Sequence, residues 1–348
     1  MTRAFPLQFF AGRRVREHVA REGFRLEDFP TLLGAAGGPK WLVLYGLDRV
    51  LAPKLVASGQ RFDLIGASIG SWRFAAYAQR DPAAALDRLL ANYTLEQTFS
   101  GAPLDMDAVF RGYCDTLLGE TGAEEVLTSD HAALHVIVAW FRRGWVPSLA
   151  GIGLAAGYNA IGRKALLRFG PERLVLSSAA RLPATDWPGR AVPLTHANLG
   201  DALRASGAVP GMVRPVRDLV PGEQGYGVDG GIIDYHFDAN SARSGFVLYP
   251  HFYPHMVPGW FDKPFRGRRV DPASVENLLV VSPSPEFVAR LPGGKVPDRN
   301  DPRRLGLPAC RAAWLDVAHA SRELGDAFEE ALAGGRLTEL VAGQDRGS

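Results

Sequence analysis

Cysteine is scarce in this sequence, since the chain of 348 residues contains only Cys114 and Cys310. Two cysteines cannot form a disulfide framework, and their scarcity favours a protein of a reducing compartment. A dominant charge of one sign is missing too, because 39 Lys and Arg residues are balanced by 37 Asp and Glu residues. Such a balance gives no indication of nucleic-acid binding, and we expect none.

A secretory signal peptide is also missing from the first residues, which lack a basic start followed by an apolar run. We therefore expect a cytoplasmic protein. The longest uncharged stretch, residues 144–162, has the length of a membrane span but contains Pro147, Asn159 and several glycines. Because glycine and proline make a poor isolated helix, we favour a buried, glycine-rich segment over a transmembrane helix.

The chain does contain the apolar material for a large core, with 47% hydrophobic and 22% charged residues. In its first half, strand and helix patterns alternate, which predicts a βαβ unit with parallel strands. Strands are predicted at residues 31–33 and 62–65, and helices at 41–56, 69–79 and 82–93.

Further strands and helices are predicted at irregular intervals, and no internal repeat is present. The strands are residues 134–141, 174–176, 192–195, 246–249 and 278–281, and the helices are 105–118, 159–169, 199–206 and a long one at 308–332. Residues 257–304 are rich in Pro, Gly and Arg, which predicts loops around one strand. Because no linker is evident, we expect one α/β domain with helical additions at the C-terminus.

The segment Gly66–Gly70 fits the pattern G-x-S-x-G, which places a serine on a sharp turn between a strand and a helix. Glycine is needed at both ends because a Cβ there would collide with the neighbouring strand or helix. The predicted strand before Ser68 and helix after it favour a nucleophile. The alternative is a turn of small residues that packs a helix on a sheet.

A second glycine-containing loop, residues 36–40, precedes the first long helix. The N–H groups of Gly37 and Gly38 are candidates for an oxyanion hole, whereas Pro39 has no N–H to donate. A phosphate-binding P-loop would need a glycine in place of Pro39 and a serine or threonine in place of Trp41, so nucleotide binding is disfavoured. A plain turn at a helix start remains the alternative.

Four segments in order resemble the patatin-like phospholipase family: residues 36–40, 66–70, 205–211 and 229–231. They correspond to that family's glycine-rich oxyanion loop, G-x-S-x-G, A-S-x-A-x-P and D-G-[GA] motifs. Three features depart from the family pattern. Ala36 replaces the first loop glycine, Trp41 replaces the last, and residues 232–236 follow Gly231 where the family often has Asn-x-Pro. The resemblance implies a three-layer α/β/α sandwich around a largely parallel sheet. It also implies residues 1–30 as an N-terminal extension, 31–285 as the hydrolase core and 286–348 as a loop and C-terminal helix packed on it.

The resemblance further implies a lipid acyl hydrolase, either a phospholipase A or lysophospholipase or a carboxylesterase. Its catalytic dyad would be Ser68 and Asp229, supported by Lys40, Ile69 and Gly230, without a metal or cofactor. An acyl-enzyme intermediate would form on Ser68. The expected partners are a lipid or small ester and, peripherally, the inner face of a membrane. Residues 144–162 would then lie near the active site and line an acyl channel.

Three alternatives stay open at this stage. A Ser-Asp-His triad would use His251 or His255 after Asp229. The same two histidines are spaced for a metal on a helix, but Pro250 and Pro254 interrupt that helix, which disfavours the metal. A hydrolase fold that only binds lipid is the non-enzymatic alternative. The aromatic segment of residues 246–265 is interpreted as loop packing over the core, with a lid or lipid-contacting patch as the alternative.

Overall fold

The computed structural model describes residues 4–95, 105–142, 149–182, 189–237 and 245–343. Its strands, in chain order, are β1 Leu7–Ala11, β2 Thr31–Gly34, β3 Phe62–Ala67, β4 Ala132–Arg142, β5 Glu172–Ser177, β6 Arg190–Pro193, β7 Val216–Arg217, β8 Gly225–Asp229, β9 Val247–Pro250 and β10 Leu278–Pro283.

The α-helices are α1 Arg13–Glu22, α2 Tyr45–Ala57, α3 Ile69–Tyr77, α4 Pro82–Tyr93, α5 Met106–Leu118, α6 Gly122–Leu127, α7 Leu149–Ile161, α8 Arg163–Phe169, α9 Leu199–Ser206, α10 Pro285–Ala289, α11 Asp301–Leu305, α12 Leu307–Ala320, α13 Arg322–Ala333 and α14 Arg336–Ala342. Short 3₁₀ helices cover Gly38–Leu44, Gly230–Ile232 and Trp260–Asp262, among other segments.

The strands form one sheet in the order β1-β10-β9-β2-β3-β4-β5-β6. From β10 to β4 all neighbours are parallel, whereas β1 and β5 pair antiparallel at the two sides of this block. Helices flank the sheet, and the expectation of a three-layer α/β/α fold around a largely parallel sheet is confirmed. The apolar runs of the central strands explain the arrangement, because strands covered by helices on both faces have no polar face.

Strand β4 determines where the site lies, because it is longer than its neighbour β3. Along one edge of β4, β3 pairs in parallel as far as Ala67, which lies opposite Ile137. Strand β8 pairs antiparallel with the rest of that edge, and its last residue, Asp229, lies opposite Val138. The carboxyl ends of β3 and β8 therefore meet head to head at adjacent residues of β4.

The first residues contribute to the same sheet and core as the rest of the chain. Strand β1 forms the edge next to β10, and Phe9 and Val15 are buried in the main hydrophobic cluster. Helix α14 packs against α1, and the N–H of Phe24 donates to Thr338 Oγ1 at 3.0 Å. The two ends of the described chain thus stabilise one another.

Several predicted elements differ from those in the structure. The helix predicted at 41–56 begins as the 3₁₀ helix Gly38–Leu44, and the one predicted at 308–332 is divided between α12 and α13 at Ser321. Periodicity alone does not locate such breaks, because apolar residues continue across them. The sequence also missed β1 and β8, and β8 is too short and glycine-rich to show a strand pattern.

The interpretation of residues 144–162 as a buried segment lining a channel was wrong for the part that the structure describes. Residues 144–148 lie outside the described residues, and the rest forms the helix α7. Leu154 is 49% exposed and Ile161 80% exposed. The helix buries only one face, through Ala155 and Asn159, since it packs on the 3₁₀ helix Trp260–Asp262 from one side.

Candidate active site

Ser68 occupies a strained turn between β3 and α3. Its φ of 54° and ψ of −128° are unusual for a residue with a side chain, and such strain is typical of a serine at a nucleophile elbow. The turn closes tightly, because a Cβ at Gly70 would lie 1.9 Å from the carbonyl oxygen of Gly34. Only glycine fits there, so the pattern at 66–70 reflects a close approach of α3 to β2.

The hydroxyl of Ser68 donates a hydrogen bond of 2.8 Å to Asp229 Oδ2. The other carboxylate oxygen, Oδ1, accepts from the N–H of Gly231 at 2.7 Å. Both side chains are largely buried, with 7% of each residue exposed. The Asp229 carboxylate is thereby held in a fixed orientation with one oxygen directed at Ser68.

The environment of Asp229 changes its acidity. Burial, as the largest effect, raises the pKa of Asp229 from 3.8 to about 6, although the hydrogen bonds from Ser68 and Gly231 act in the opposite direction. A carboxylate with this pKa accepts a proton more readily than one in water. It is still mostly ionised at pH 7, as a general base must be.

Ser206, the last residue of α9, connects the site to the sheet. Its Oγ accepts the N–H of Ser68 at 2.8 Å and donates to the carbonyl of Ile137 at 2.7 Å. The sequence indicated the segment 205–211 through its A-S-x-A-x-P pattern but did not assign a role to Ser206. Because the Ser68 N–H is used in this way, it is not free to stabilise an oxyanion.

The loop of residues 36–40 lies beside Ser68, as the cavity at the site is lined by Gly37, Gly38 and Lys40. The loop is anchored by the N–H of Ala36, which donates to the carbonyl of Tyr235 at 2.9 Å. Among the described residues, the N–H groups of Gly37 and Gly38 have no hydrogen-bond acceptor. They are therefore free to bind a negatively charged oxygen.

Two more predicted residues, Ile69 and Gly230, flank the dyad. Ile69 is the first residue of α3, where helical geometry leaves its N–H without a partner in the helix, and its side chain lines the cavity. Gly230 follows Asp229 directly, and a Cβ on it would lie 2.3 Å from the carbonyl oxygen of Ile137. A side chain at 230 would therefore push Asp229 away from β4.

The chain after Asp229 is held by a buried ion-pair network. Asp234 is fully buried and accepts hydrogen bonds from Arg173 Nε at 2.5 Å and from Arg163 Nη2 at 2.9 Å. Arg163 also donates to the carbonyl of Ile233 at 2.7 Å. Since breaking one partner of a buried pair is costly, this network fixes the path of residues 230–234.

A cavity of about 630 Å³ opens at Ser68 and Asp229. One part of its wall is apolar and includes Trp72, Phe110 and Tyr113, whose rings make edge and stacked contacts with one another. The volume suits a ligand of lipid-fragment or small-ester size, with an apolar part that replaces water along these rings.

Neither His251 nor His255 hydrogen-bonds to the Ser68 hydroxyl within the described residues. His251 is fully buried and its Nδ1 is 2.7 Å from the carbonyl oxygen of Tyr253, and the pKa of His251 is lowered to about 3 by burial. His255 lines the cavity, but within the described residues the hydroxyl of Ser68 has no histidine as a hydrogen-bond partner. No group of three or more potential metal ligands occurs among these residues either.

The aromatic segment of residues 246–265 is mixed in its burial. Phe252 is buried in the core, as expected for loop packing, and Tyr249 is buried within strand β9, whereas Phe265 is 42% exposed. No helix in the described part of the chain has the length and apolarity of a membrane span.

No protein-family model matches the chain, and no curated protein matches its sequence significantly. Among solved structures, the chain is similar to human GIVD cytosolic phospholipase A2, with a TM-score of 0.39 and 11% identity. The match covers 94% of this chain and 64% of that protein, so the chain spans less than two thirds of its length. A match of this strength assigns neither a family nor a function.

Proposed function

We propose that the protein is a serine hydrolase that cleaves carboxylic esters of lipid type with a dyad of Ser68 and Asp229. The hydrogen bond of 2.8 Å between Ser68 Oγ and Asp229 Oδ2 carries the proposal. A hydroxyl on a strained turn, a carboxylate with a raised pKa and two free N–H groups together supply a nucleophile, a base and an oxyanion hole.

In the first half of the reaction, Ser68 Oγ attacks the ester carbonyl carbon while its proton passes to Asp229 Oδ2. The carbonyl oxygen becomes negatively charged in the tetrahedral intermediate. When the bond to the alcohol breaks, Asp229 returns its proton to the departing oxygen. The alcohol leaves and an acyl group stays on Ser68.

In the second half, water takes the place of the alcohol. Asp229 removes one proton from the water as its oxygen attacks the acyl carbon, and the proton then passes to Ser68 Oγ when that bond breaks. The products are a carboxylic acid and the free Ser68 hydroxyl. A pKa of about 6 for Asp229 suits both roles, because the group must accept and release a proton near neutral pH.

The oxyanion in both halves would bind to the N–H groups of Gly37 and Gly38. Each such donor typically contributes about 3–4 kcal/mol to transition-state stabilisation. These donors belong to the backbone of a loop anchored to Tyr235, so they need little rearrangement during the reaction. Lys40, in the same loop, lines the same cavity and adds positive potential there.

The apolar part of the cavity supports an ester with a hydrocarbon chain as the substrate. Trp72, Phe110 and Tyr113 would contact the acyl chain, since burying apolar area contributes about 25 cal/mol per Å². Phospholipase A, lysophospholipase and carboxylesterase activities share this chemistry and differ in the alcohol that leaves.

Fluorophosphonate labelling followed by mass spectrometry tests the nucleophile. We expect the label on Ser68, and loss of more than about a thousandfold of neutral aryl-ester hydrolysis in Ser68→Ala and in Asp229→Asn. Ser284→Ala is the matched control, since Ser284 is equally buried but caps α10. Absence of label on correctly folded protein would contradict the proposal and favour a lipid-binding module.

His255→Ala and His251→Ala separate the dyad from the triad. If Asp229 acts directly on Ser68, His255→Ala keeps most of the rate at saturating substrate. A loss comparable to that of Asp229→Asn in either histidine variant, with folding unchanged by circular dichroism, would count for the triad.

A further inference from the structure

The mouth of the cavity carries basic side chains for which the described residues provide no acid. Lys40, Lys263 and Arg299 all line the cavity, and none of them has a carboxylate oxygen within ion-pair distance in that part of the chain. Lys40 is half-buried, whereas Lys263 and Arg299 are exposed as whole residues, although the amino group of Lys263 packs against the rings of Tyr235 and Trp260. Arg269 is a further basic residue of the lining, and its positive charge lowers the pKa of His255 by repulsion.

The acidic residues of the same cavity are already engaged. Asp229 is bonded to Ser68 and Gly231. Asp298 is adjacent to Arg299 in sequence, but its Oδ2 lies 2.7 Å from Lys295 Nζ and its Oδ1 accepts the N–H of Asn300. Asp298 still attracts Lys40 and Asp229 still attracts Lys263 through space, but within the described residues neither carboxylate forms an ion pair with the basic side chains of the rim.

Lys263 and Arg299 lie beside the same indole ring. Lys263 Nζ is 5.4 Å and Arg299 Cζ is 5.3 Å from the centroid of the Trp260 ring. Lys263 Nζ is also 3.8 Å from the centroid of the Tyr235 ring, and Tyr235 lines the cavity. Contacts of this kind hold a cation in place without cancelling its charge.

The backbone before Lys263 is firmly anchored. The buried carboxylate of Asp262 accepts hydrogen bonds from Asn159 Nδ2 at 2.7 Å, Arg268 Nη1 at 2.9 Å and the N–H of Gly259 at 3.0 Å. These contacts connect α7 to the 3₁₀ helix Trp260–Asp262. Lys263 thus follows a fixed segment of backbone. This favours a preorganised binding site over a mobile surface lysine.

The cations also repel one another. Burial of its amino group against protein, and then repulsion by Lys40 and Arg299, lower the pKa of Lys263 to about 7. The pKa of Lys40 is lowered as well, first by burial; attraction by Asp298 opposes this effect, and repulsion by Lys295 and Arg299 adds to it. An anion between them would relieve this repulsion and restore the charged form of both lysines.

We propose that Lys263 and Arg299, with Lys40 behind them, form an anion subsite at the cavity mouth that selects esters carrying a phosphate or carboxylate group. The inference rests on the proposed hydrolase function and narrows its substrate class. The hydrocarbon chain would lie along Trp72 and Phe110 while the anionic group stays at the rim. Neutral glycerides would lack this contact and be poorer substrates.

Binding to the Ser68→Ala protein tests the subsite without any need for catalysis. Tryptophan fluorescence, to which the cavity residues Trp72, Trp260 and Trp314 contribute, follows binding during titration with decyl phosphate, with neutral decyl maltoside and with inorganic phosphate alone. We expect decyl phosphate to bind most tightly, with an affinity that falls as salt is added. Equal binding of decyl maltoside would overturn the subsite, and equally tight binding of inorganic phosphate would overturn its role in selecting an ester.

The double variant Lys263→Met and Arg299→Met, made in the Ser68→Ala background, assigns the effect to these side chains. We expect decyl phosphate to bind at least about fivefold more weakly and with a smaller salt dependence. Lys263→Arg, which keeps the charge, should retain most of the affinity. Lys164→Met removes one exposed lysine from α8 and serves as the matched control. An unchanged affinity in a folded double variant would end the proposal.

Kinetics on the protein with Ser68 intact then connects the subsite to the reaction. The ratio of kcat/KM for a carboxylate-bearing aryl ester to that for its neutral analogue should fall at least about fivefold in the double variant. If neither ester is hydrolysed by the parent protein, the hydrolase proposal fails while the binding result stands. If both are hydrolysed and the ratio does not change, the hydrolase proposal stands and the subsite fails.

Discussion

The Ser68 hydroxyl donates a hydrogen bond to the carboxylate of Asp229, which lies 161 positions further along the chain. The two residues meet because β3 and β8 approach each other from opposite directions along one edge of β4. Ile137 lies opposite the end of β3 and the adjacent Val138 lies opposite Asp229. The site is therefore built on the backbone pairing of a central strand, which fixes it more firmly than a meeting of loops would.

Hydrolysis of a neutral aryl ester should depend on pH through Asp229. Below its pKa of about 6 the carboxyl is protonated and cannot accept the Ser68 proton, so kcat/KM should rise about tenfold per pH unit below 6 and level off above pH 7. The charged groups that act on Asp229 are Lys263 and Arg299, and both lower its pKa. Lys263→Met should thus move the midpoint to higher pH. A flat profile from pH 5 to 8 would contradict this assignment.

Stability should respond to the same group with a defined sign. Because the pKa of Asp229 is raised on folding, the native state binds more protons than the unfolded state between pH 4 and 6, and stability falls as pH rises through that window. A shift from 3.8 to about 6 corresponds to at most about 3 kcal/mol.

The Asp229→Asn variant checks this sign. It lacks the titrating group. The difference in free energy of unfolding, variant minus parent, should therefore be larger at pH 7 than at pH 4. Urea denaturation at the two pH values measures the difference. A variant that loses stability relative to the parent as pH rises would show that the carboxylate is favourable in the folded state.

Ser206→Ala should reduce kcat more than it raises KM. The change removes the acceptor of the Ser68 N–H and leaves that buried N–H and the carbonyl of Ile137 without a partner, at a stability cost of about 1–3 kcal/mol. The turn that presents Ser68 would loosen, and we expect a loss of about tenfold or more in kcat. Steady-state kinetics with Ser284→Ala as the control checks it, and an effect confined to KM would contradict a positioning role.

Gly70→Ala and Gly153→Ala should have opposite effects. A Cβ at position 70 would lie 1.9 Å from the carbonyl oxygen of Gly34, so β2 and α3 would have to separate, with a loss of several kcal/mol and of activity. Gly153 lies within α7 with open space around its added Cβ. Alanine there should stabilise the protein by about 0.5–1 kcal/mol. Thermal unfolding of the two variants compares them directly.

Arg173→Met should be among the most destabilising single changes. Arg173 and Asp234 are both almost fully buried, and loss of the guanidinium leaves the carboxylate with Arg163 alone. Breaking such a pair typically costs about 3–5 kcal/mol. Arg163→Met should cost less, because the Arg163 side chain is 16% exposed. Equal losses in the free energy of unfolding for the two variants, measured by chemical denaturation, would show that Arg173 and Arg163 stabilise the Asp234 carboxylate equally.

The sequence by itself determined the parts of the site that depend on local backbone geometry. Gly66 and Gly70 around Ser68 predict the sharp turn, because only glycine allows the neighbouring backbone so close. The glycines at 37 and 38 predict free N–H groups for the same local reason. The alternation of strand and helix patterns in the first half predicted a βαβ unit with parallel strands, and the family resemblance implied the largely parallel sheet.

The resemblance to patatin-like phospholipases gave the pairing of Ser68 with Asp229 as an expectation, but only the tertiary structure shows the contact between them. Strand β8 carries too little apolar pattern to be read from sequence, yet its pairing with β4 places Asp229 at Ser68. The sequence could not indicate the roles considered for Ser206 and Lys263 either. A hydrogen bond depends on which groups lie next to the side chain in the folded chain, and so does the lack of an ion-pair partner. Steric limits on the backbone depend on neighbouring residues in the sequence, so the sequence reveals them. Burial and neighbouring charges depend on residues that are distant in the sequence, so they arise only when the chain folds.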